Sequence, residues 1–259
     1  MDDHLAGLRA RRWWITARRV GSIERAASFV SDVGAALLFP TEKIALPSLY
    51  EVMAGPDVVP FAEWGPVEQR IWAWKDELPQ RGLAWYGKLV WGRASLLAPD
   101  LLALLYPGRG GDDDHRTLDL SPEAHRLAAA LAGGAIPSSG LRVEVGLDGK
   151  AGKSRYDRAM GELHRRLLVT SAGVWEGDSG WPSVMVELTS RVFDVGGRHD
   201  QTAAAGRLLD TALEVTPKDL ARAFGWPIAD ARATLARLAD DGRAVAVDGG
   251  QRYRSALAQ

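Results

Sequence analysis

The chain has 259 residues, of which 46% are hydrophobic and 25% charged, a size that allows one to four domains. Its net charge of -1 excludes a protein that coats nucleic acid through a large positive excess, so any such binding depends on local basic patches. The lack of cysteine and of metal-binding histidine spacing predicts no metal and no cofactor. No apolar run approaches the ~20 residues that span a membrane, and this predicts a cytoplasmic protein.

Residues 1–110 predict an N-terminal helical domain that is rich in tryptophan. Residues 22–33 have the apolar spacing of an amphipathic helix, and Gly34 closes it before the apolar run AALLFP. This pattern allows a further helix-turn-helix unit, but it leaves open whether the domain is a winged helix. Five tryptophans lie between Trp64 and Trp91, a density that is typical of core packing with indole N–H groups paired at the edge.

Two breaks divide the rest of the chain. The run GRGGDDDH at residues 108–115 is too polar for a packed element and predicts a linker, and DVGGRHDQ at residues 194–201 predicts a second one. These breaks separate a domain at residues 116–194 from another at residues 200–259.

Residues 116–194 follow the element order of a winged helix. Ser121 and Pro122 begin a helix that runs through Leu131, and Ser138 begins a second helix. Residues 154–167 predict the third, and the following LLVTSAGVWEGDSGWPSVMVELTS predicts two strands around a turn at residues 176–180.

Residues 200–259 repeat this order on a smaller scale. Thr216 and Pro217 begin the second helix, Gly225 ends it, and Pro227 precedes the third. The alternating sequence around residues 248–250 predicts a β-hairpin. The predicted fold is therefore mainly α with small β-hairpins (α+β), in tandem winged-helix domains; two small helical bundles are the alternative.

A helix-turn-helix unit presents the outer face of its third helix to the major groove of DNA, so double-stranded DNA is the expected partner. Residues 148–166 hold six basic residues against three acidic ones. The alternative for each cation is a solvated surface position with ion pairs along the helix. The predicted DNA-binding residues on the two third helices and the last wing are Lys150, Lys153, Arg155, Arg158, Arg232, Arg237 and Arg252.

Asp76 and Glu77 are the candidates for enzyme chemistry. They follow Trp72 and Trp74, and a carboxylate in an aromatic setting can act as a general base. The alternative is a surface turn with salt bridges before Pro79.

The chain resembles the AlkZ-related proteins, shorter relatives of the AlkZ/YcaQ-type DNA glycosylases, between Ile23 and Arg191. The most specific parts are residues 72–79 and 154–169, and the segments that carry the resemblance are SIERAASFVSDVG, ALLFP, LPSLYEVMAG, IWAWKDELP, WYGKLVWGRASLLAPDLL and KAGKSRYDRAMGELHRRLLV. The resemblance implies tandem winged helices that cradle DNA. In the full glycosylases it implies removal of bulky alkylated purines, crosslinked ones included.

Those glycosylases carry a Gln-x-Gln or Gln-x-Asp motif after their first helix. The two polar side chains of the motif position the attacking water and stabilise the sugar cation. Aligned on Gly34, the motif falls on Leu37, Leu38 and Phe39, so the catalytic pair is expected to be missing, as is the family's C-terminal barrel.

Three functions remain open from the sequence: a DNA-binding protein without the family's catalysis, a glycosylase acting on alkylated bases through Asp76 or Glu77, and a protein-interaction module. The sequence leaves the oligomeric state open.

Overall fold

The computed structural model describes residues 3–16, 19–55, 63–177 and 182–258. Among these residues, three antiparallel sheets of three strands follow one another along the chain. Each sheet belongs to a unit with the element order helix, strand, helix, helix, strand, strand.

Unit 1 follows an N-terminal helix, α1 (Asp3–Arg12), and ends before a short connecting helix, α5 (Pro99–Leu105). Its elements are α2 (Ile23–Val33), β1 (Ala35–Leu37), α3 (Leu49–Ala54), α4 (Pro66–Gln80), β2 (Trp85–Gly87) and β3 (Ser95–Leu97).

Units 2 and 3 have the same element order, with longer strands in their hairpins. Unit 2 consists of α6 (Pro122–Ala130), β4 (Ile136–Pro137), α7 (Ser138–Glu144), α8 (Lys150–Arg165), β5 (Val169–Trp175) and β6 (Ser183–Leu188), followed by the short helix α9 (Thr189–Val192). Unit 3 consists of α10 (Gln201–Ala212), β7 (Glu214–Val215), α11 (Pro217–Phe224), α12 (Ile228–Asp240), β8 (Ala244–Val247) and β9 (Arg252–Ser255).

The strand order is the same in all three sheets, with the last strand of each unit in the centre: β1-β3-β2, β4-β6-β5 and β7-β9-β8. The predicted fold class, mainly helical with small hairpins and consistent with winged helices, is confirmed. The unit that the sequence left open, residues 23–97, has the same topology as the other two. Whether each unit folds as a separate domain within the predicted boundaries remains a prediction.

Local signals account for the helix ends in unit 3. The Thr216 hydroxyl accepts a hydrogen bond from the Asp219 N–H, and the Asp219 carboxylate accepts one in return from the Thr216 N–H. Gly225 ends α11 with a φ of 72°, a left-handed conformation that glycine adopts without steric cost.

α8 begins at Lys150, four residues earlier than the predicted start at Ser154. Its first turn lies against the preceding loop, because a Cβ atom on Gly152 would stand 2.3 Å from the carbonyl oxygen of Leu147. A glycine inside a helix usually lowers the stability of the helix, but here the absence of a side chain lets the helix backbone pack directly against Leu147. The early start adds two basic residues, Lys150 and Lys153, to the helix.

One continuous apolar core runs through all three units, from Ala35 to Tyr253. Trp85 lies fully buried at the junction of units 1 and 2. Its indole N–H donates to the carbonyl of Val169 and to the hydroxyl of Thr189, each at 3.2 Å. This tryptophan fits the predicted core role, whereas Trp64 and Trp72 are about half exposed and do not.

Helix α1 joins units 1 and 3. The indole N–H of Trp13 donates to the carbonyl of Thr211 at 2.7 Å, and Arg9 donates to the carbonyl of Ala212 at 2.9 Å. Arg12 forms an ion pair with Asp32 at 3.1 Å. These N-terminal cations therefore bind the protein's own backbone and carboxylates.

The segment at residues 108–115 is more ordered than its polar composition predicts. The Asp114 carboxylate is buried and accepts hydrogen bonds from the backbone N–H groups of Arg109, Gly110 and Gly111 and from the Tyr106 hydroxyl. One buried carboxylate thus accepts hydrogen bonds from three backbone N–H groups of this polar turn. Composition alone does not predict that the turn is ordered in this way.

Within the described part of the chain, none of the helices combines the length and apolar character needed to cross a bilayer.

Candidate nucleic-acid interface

The outer face of α8 carries a line of cations. Its inner face packs through Tyr156, Ala159 and Leu163, which are buried. The opposite face is defined by positions spaced three or four residues apart, and we call it the α8 basic stripe: Lys150, Ser154, Arg158, Gly161 and Arg165. At 1.5 Å per residue the stripe is about 22 Å long.

The three cations of the α8 basic stripe are exposed, and none forms an ion pair with a described acidic residue. The side chains between them, Ser154 and Gly161, are small. This combination leaves the cations free to meet phosphate oxygens on a partner.

The other two predicted cations of α8 have acidic neighbours within the protein. Lys153 lies 3.2 Å from Asp157 on the same helix, and Arg155 forms an ion pair with Glu123 of α6. The Arg155 pair lowers the pKa of Glu123, mainly through the hydrogen bond. Arg155 is therefore occupied in joining two helices of unit 2.

Helix α12 contributes less charge. Arg232 is exposed and forms no ion pair within the described residues, whereas Arg237 donates a hydrogen bond to the hydroxyl of Thr202 at 2.8 Å. The alanines between them, Ala233 and Ala236, carry no charge.

The wing cation Arg252 is held by the protein itself. It lies 2.9 Å from Glu214 of β7 and also pairs with Asp248 in the hairpin turn. Arg254 contacts the same Glu214 carboxylate at 2.9 Å. Both arginines tie the last hairpin to the first strand of unit 3.

The C-terminal end of α8 meets the start of α12 at a cavity of about 510 Å³. All three units contribute to its wall, which includes Leu89, Arg165, Arg166, Gln201, Trp226 and Asp230. The sequence pattern does not predict this cavity; the tryptophan beside Pro227, in the turn of the helix-turn-helix, is the one local signal for it.

Asp76 and Glu77 lie in different environments. Asp76 is buried on α4, 2.6 Å from the Lys75 ammonium, and accepts a hydrogen bond of 2.8 Å from the Ser171 hydroxyl of β5. Glu77 is partly exposed and pairs with Arg81 at 3.3 Å, which is the surface salt bridge weighed as the alternative.

Two aromatic rings lie against the ammonium group of the buried ion pair. The Lys75 ammonium lies 4.5 Å from the centre of the Trp72 ring and 5.4 Å from that of Tyr86. Burial, together with the negative charge of Asp76, raises the pKa of Tyr86 to about 12. The Asp76 carboxylate, the Lys75 ammonium and the Ser171 hydroxyl therefore lie where α4 of unit 1 packs on the hairpin of unit 2.

The positions of the Gln-x-Gln motif are packed in apolar surroundings. Leu37 and Leu38 are buried, and Phe39 is partly buried with its ring 5.7 Å from that of Tyr50. In the described residues, no three histidine, aspartate or glutamate side chains form a group that could hold a metal ion.

The fold and its basic helix define a class: a protein of three successive winged-helix units around one shared core. The model of the AlkZ-related family matches residues 20–224, which is most of the chain. The protein belongs to the AlkZ-related family.

A solved structure supports the same fold. The chain is similar to the Streptomyces sahachiroi DNA glycosylase AlkZ, with 14% sequence identity, a TM-score of 0.56, and coverage of 98% of this chain and 69% of that one. At this identity the likeness shows the fold alone. No curated protein matches the chain.

Proposed function

We propose that this protein binds double-stranded DNA through its tandem winged helices and does so without the catalytic pair of the related glycosylases. The observation that carries the proposal is the α8 basic stripe. Its three cations lie on the exposed face of the third helix, the face that a helix-turn-helix unit places in the major groove. The description of the similar structure as a DNA glycosylase supports a DNA partner.

Of the seven DNA-binding residues predicted from the sequence, we place Lys150, Arg158 and Arg232 at the interface, since these lack an intramolecular partner among the described residues. Arg165 joins them as the end of the stripe. Lys153, Arg155, Arg237 and Arg252 have partners within the protein, so we expect smaller contributions from them.

Replacing Lys150, Arg158 and Arg165 together by alanine is expected to weaken binding to a duplex about 100-fold at low salt. Three lost phosphate contacts should also reduce the slope of log affinity against log salt by about 2–3. Fluorescence anisotropy with a labelled 20-base-pair duplex over a salt series measures both effects.

A matched control removes the same charge elsewhere: Lys43, Arg93 and Lys218 are exposed, lie outside the stripe and form no ion pair with described residues. The corresponding triple alanine variant should keep nearly all of the affinity. Equal losses in the two triple variants would mean that only net charge matters, and a wild-type protein that fails to bind duplex at low salt would refute the proposal.

The second candidate function is a glycosylase that uses Asp76. One observation favours it: the Asp76 carboxylate is buried and lies within hydrogen-bond distance of both the Lys75 ammonium and the Ser171 hydroxyl. This reading predicts base release from DNA containing N7-alkylguanine, abolished by Asp76→Asn and unaffected by Glu77→Gln. Absence of release with wild-type protein in excess over DNA would exclude it.

A further inference from the structure

The cavity of about 510 Å³ lies at the end of the α8 basic stripe, because Arg165 belongs to both. Small-molecule sites commonly enclose about 300–1,000 Å³. A strand of DNA that follows the stripe would therefore reach a cavity large enough for one nucleotide.

Two guanidinium groups lie at this cavity and have no acidic partner among the described residues. Arg165 forms no ion pair there, and Arg166 makes only a 3.5 Å contact with the carbonyl oxygen of Asp119. Arginine forks bind phosphate oxygens in pairs, so these side chains suit a nucleotide phosphate.

Two acidic residues, Glu162 and Asp230, line the cavity, and they differ in whether their carboxylates are already hydrogen-bonded. Both carboxylate oxygens of Glu162 are occupied by Ser121, which donates from its backbone N–H at 2.9 Å and its hydroxyl at 2.6 Å. Asp230 is exposed and forms no ion pair with described residues. Asp230 and Gln201 together offer both an acceptor and a donor to the edge of a base.

An aromatic pair forms another part of the wall. The rings of Phe224 and Trp226 lie 4.9 Å apart at an angle of 54°, and Trp226 is only partly buried. Its backbone is fixed, since its N–H donates to the carbonyl of Ala221 at 2.9 Å behind the left-handed Gly225. A fixed, partly exposed indole is a surface on which an unstacked base can stack.

We propose that this cavity binds a single unstacked nucleotide of the bound DNA, with its base on Trp226 and its phosphate on Arg165 and Arg166. The inference rests on the proposed DNA binding and adds to it a preference: DNA with an unpaired base is bound more tightly than the fully paired duplex. The gain arises because a base that is already out of the stack avoids the free energy of unstacking.

The test compares two labelled 20-base-pair duplexes, one fully paired and one with a central single-adenine bulge, by anisotropy at one low salt concentration. Wild-type protein is expected to bind the bulged duplex about tenfold more tightly. Trp226→Leu should reduce this ratio to about one while changing affinity for the paired duplex by less than about twofold. Trp64→Leu, the same change at a half-exposed tryptophan outside the cavity, should keep the ratio.

Trp226 touches the shared core, so a second variant guards against loss of folding. Arg166 is exposed, and Arg166→Gln should lower affinity for the bulged duplex about fivefold relative to the paired one. Equal wild-type affinity for both duplexes, or equal losses on both in the two variants, would overturn the nucleotide site and leave DNA binding intact. Failure to bind either duplex would refute the proposed function and the site together.

Discussion

Replacing Asp76 by alanine is expected to lower the free energy of unfolding by about 3–5 kcal/mol. The change leaves the buried Lys75 ammonium without its carboxylate and removes the acceptor of the Ser171 hydroxyl. An unpaired charge in the interior costs more than the pair itself contributes. Urea denaturation followed by circular dichroism measures the loss.

The neighbouring Glu77→Ala provides the matched control, because it removes the same charge from the same helix. Its ion pair with Arg81 is exposed to solvent, so we expect a much smaller change. The double variant Lys75→Met, Asp76→Leu should recover most of the loss by removing both charges. If Asp76→Ala were as stable as the wild type, the buried cluster would not hold units 1 and 2 together.

Acidification from pH 6.5 to pH 4 is expected to remove about 3 kcal/mol of stability through His164 alone. Burial lowers the pKa of this imidazole from 6.5 to about 4, and the positive charges of Lys88 and Arg165 act in the same direction. Its ring packs edge-on against Trp85, with centroids 6.4 Å apart. The folded protein therefore holds the neutral form.

The direction follows from proton uptake. Between pH 6.5 and 4 the unfolded chain binds a proton at His164 that the folded protein does not, so stability falls as the pH falls. About 1.5 kcal/mol of the loss lies above pH 5, before most carboxylates titrate. Urea titrations at pH 7, 6 and 5 measure it.

His164→Gln should flatten this dependence, whereas His199→Gln, a change at an exposed histidine, should leave it unchanged. The same slope in wild type and His164→Gln would assign the acid sensitivity to other groups. His115 is the next to examine, since burial also lowers its pKa.

Units 2 and 3 could be predicted from sequence because their signals are local. The cap at Thr216, the left-handed Gly225 and the alternation along β8 and β9 all act within a few residues. Unit 1 lacks such signals. Its three strands have three residues each, and β1 and β3 are buried at every position, so they show no alternation between apolar and polar side chains.

The sequence likewise identified the basic residues of α8 but not which of them are free. Arg155 meets a carboxylate 32 residues away and Arg252 one 38 residues away, and no local pattern predicts such pairs. Asp76 illustrates the same limit, since its partner hydroxyl on Ser171 is 95 residues distant.

The sequence by itself therefore determined the winged-helix order of the latter half and the caps of α11, because these depend on contacts between near neighbours. It also carried the family resemblance. Only the tertiary structure decided that the C-terminal end of α8 lies across a cavity from the start of α12. It also decided that three cations on one face of α8 have no ion-pair partner among the described residues. The packing of whole units against one shared core sets these relations, and such packing joins surfaces that lie far apart along the chain.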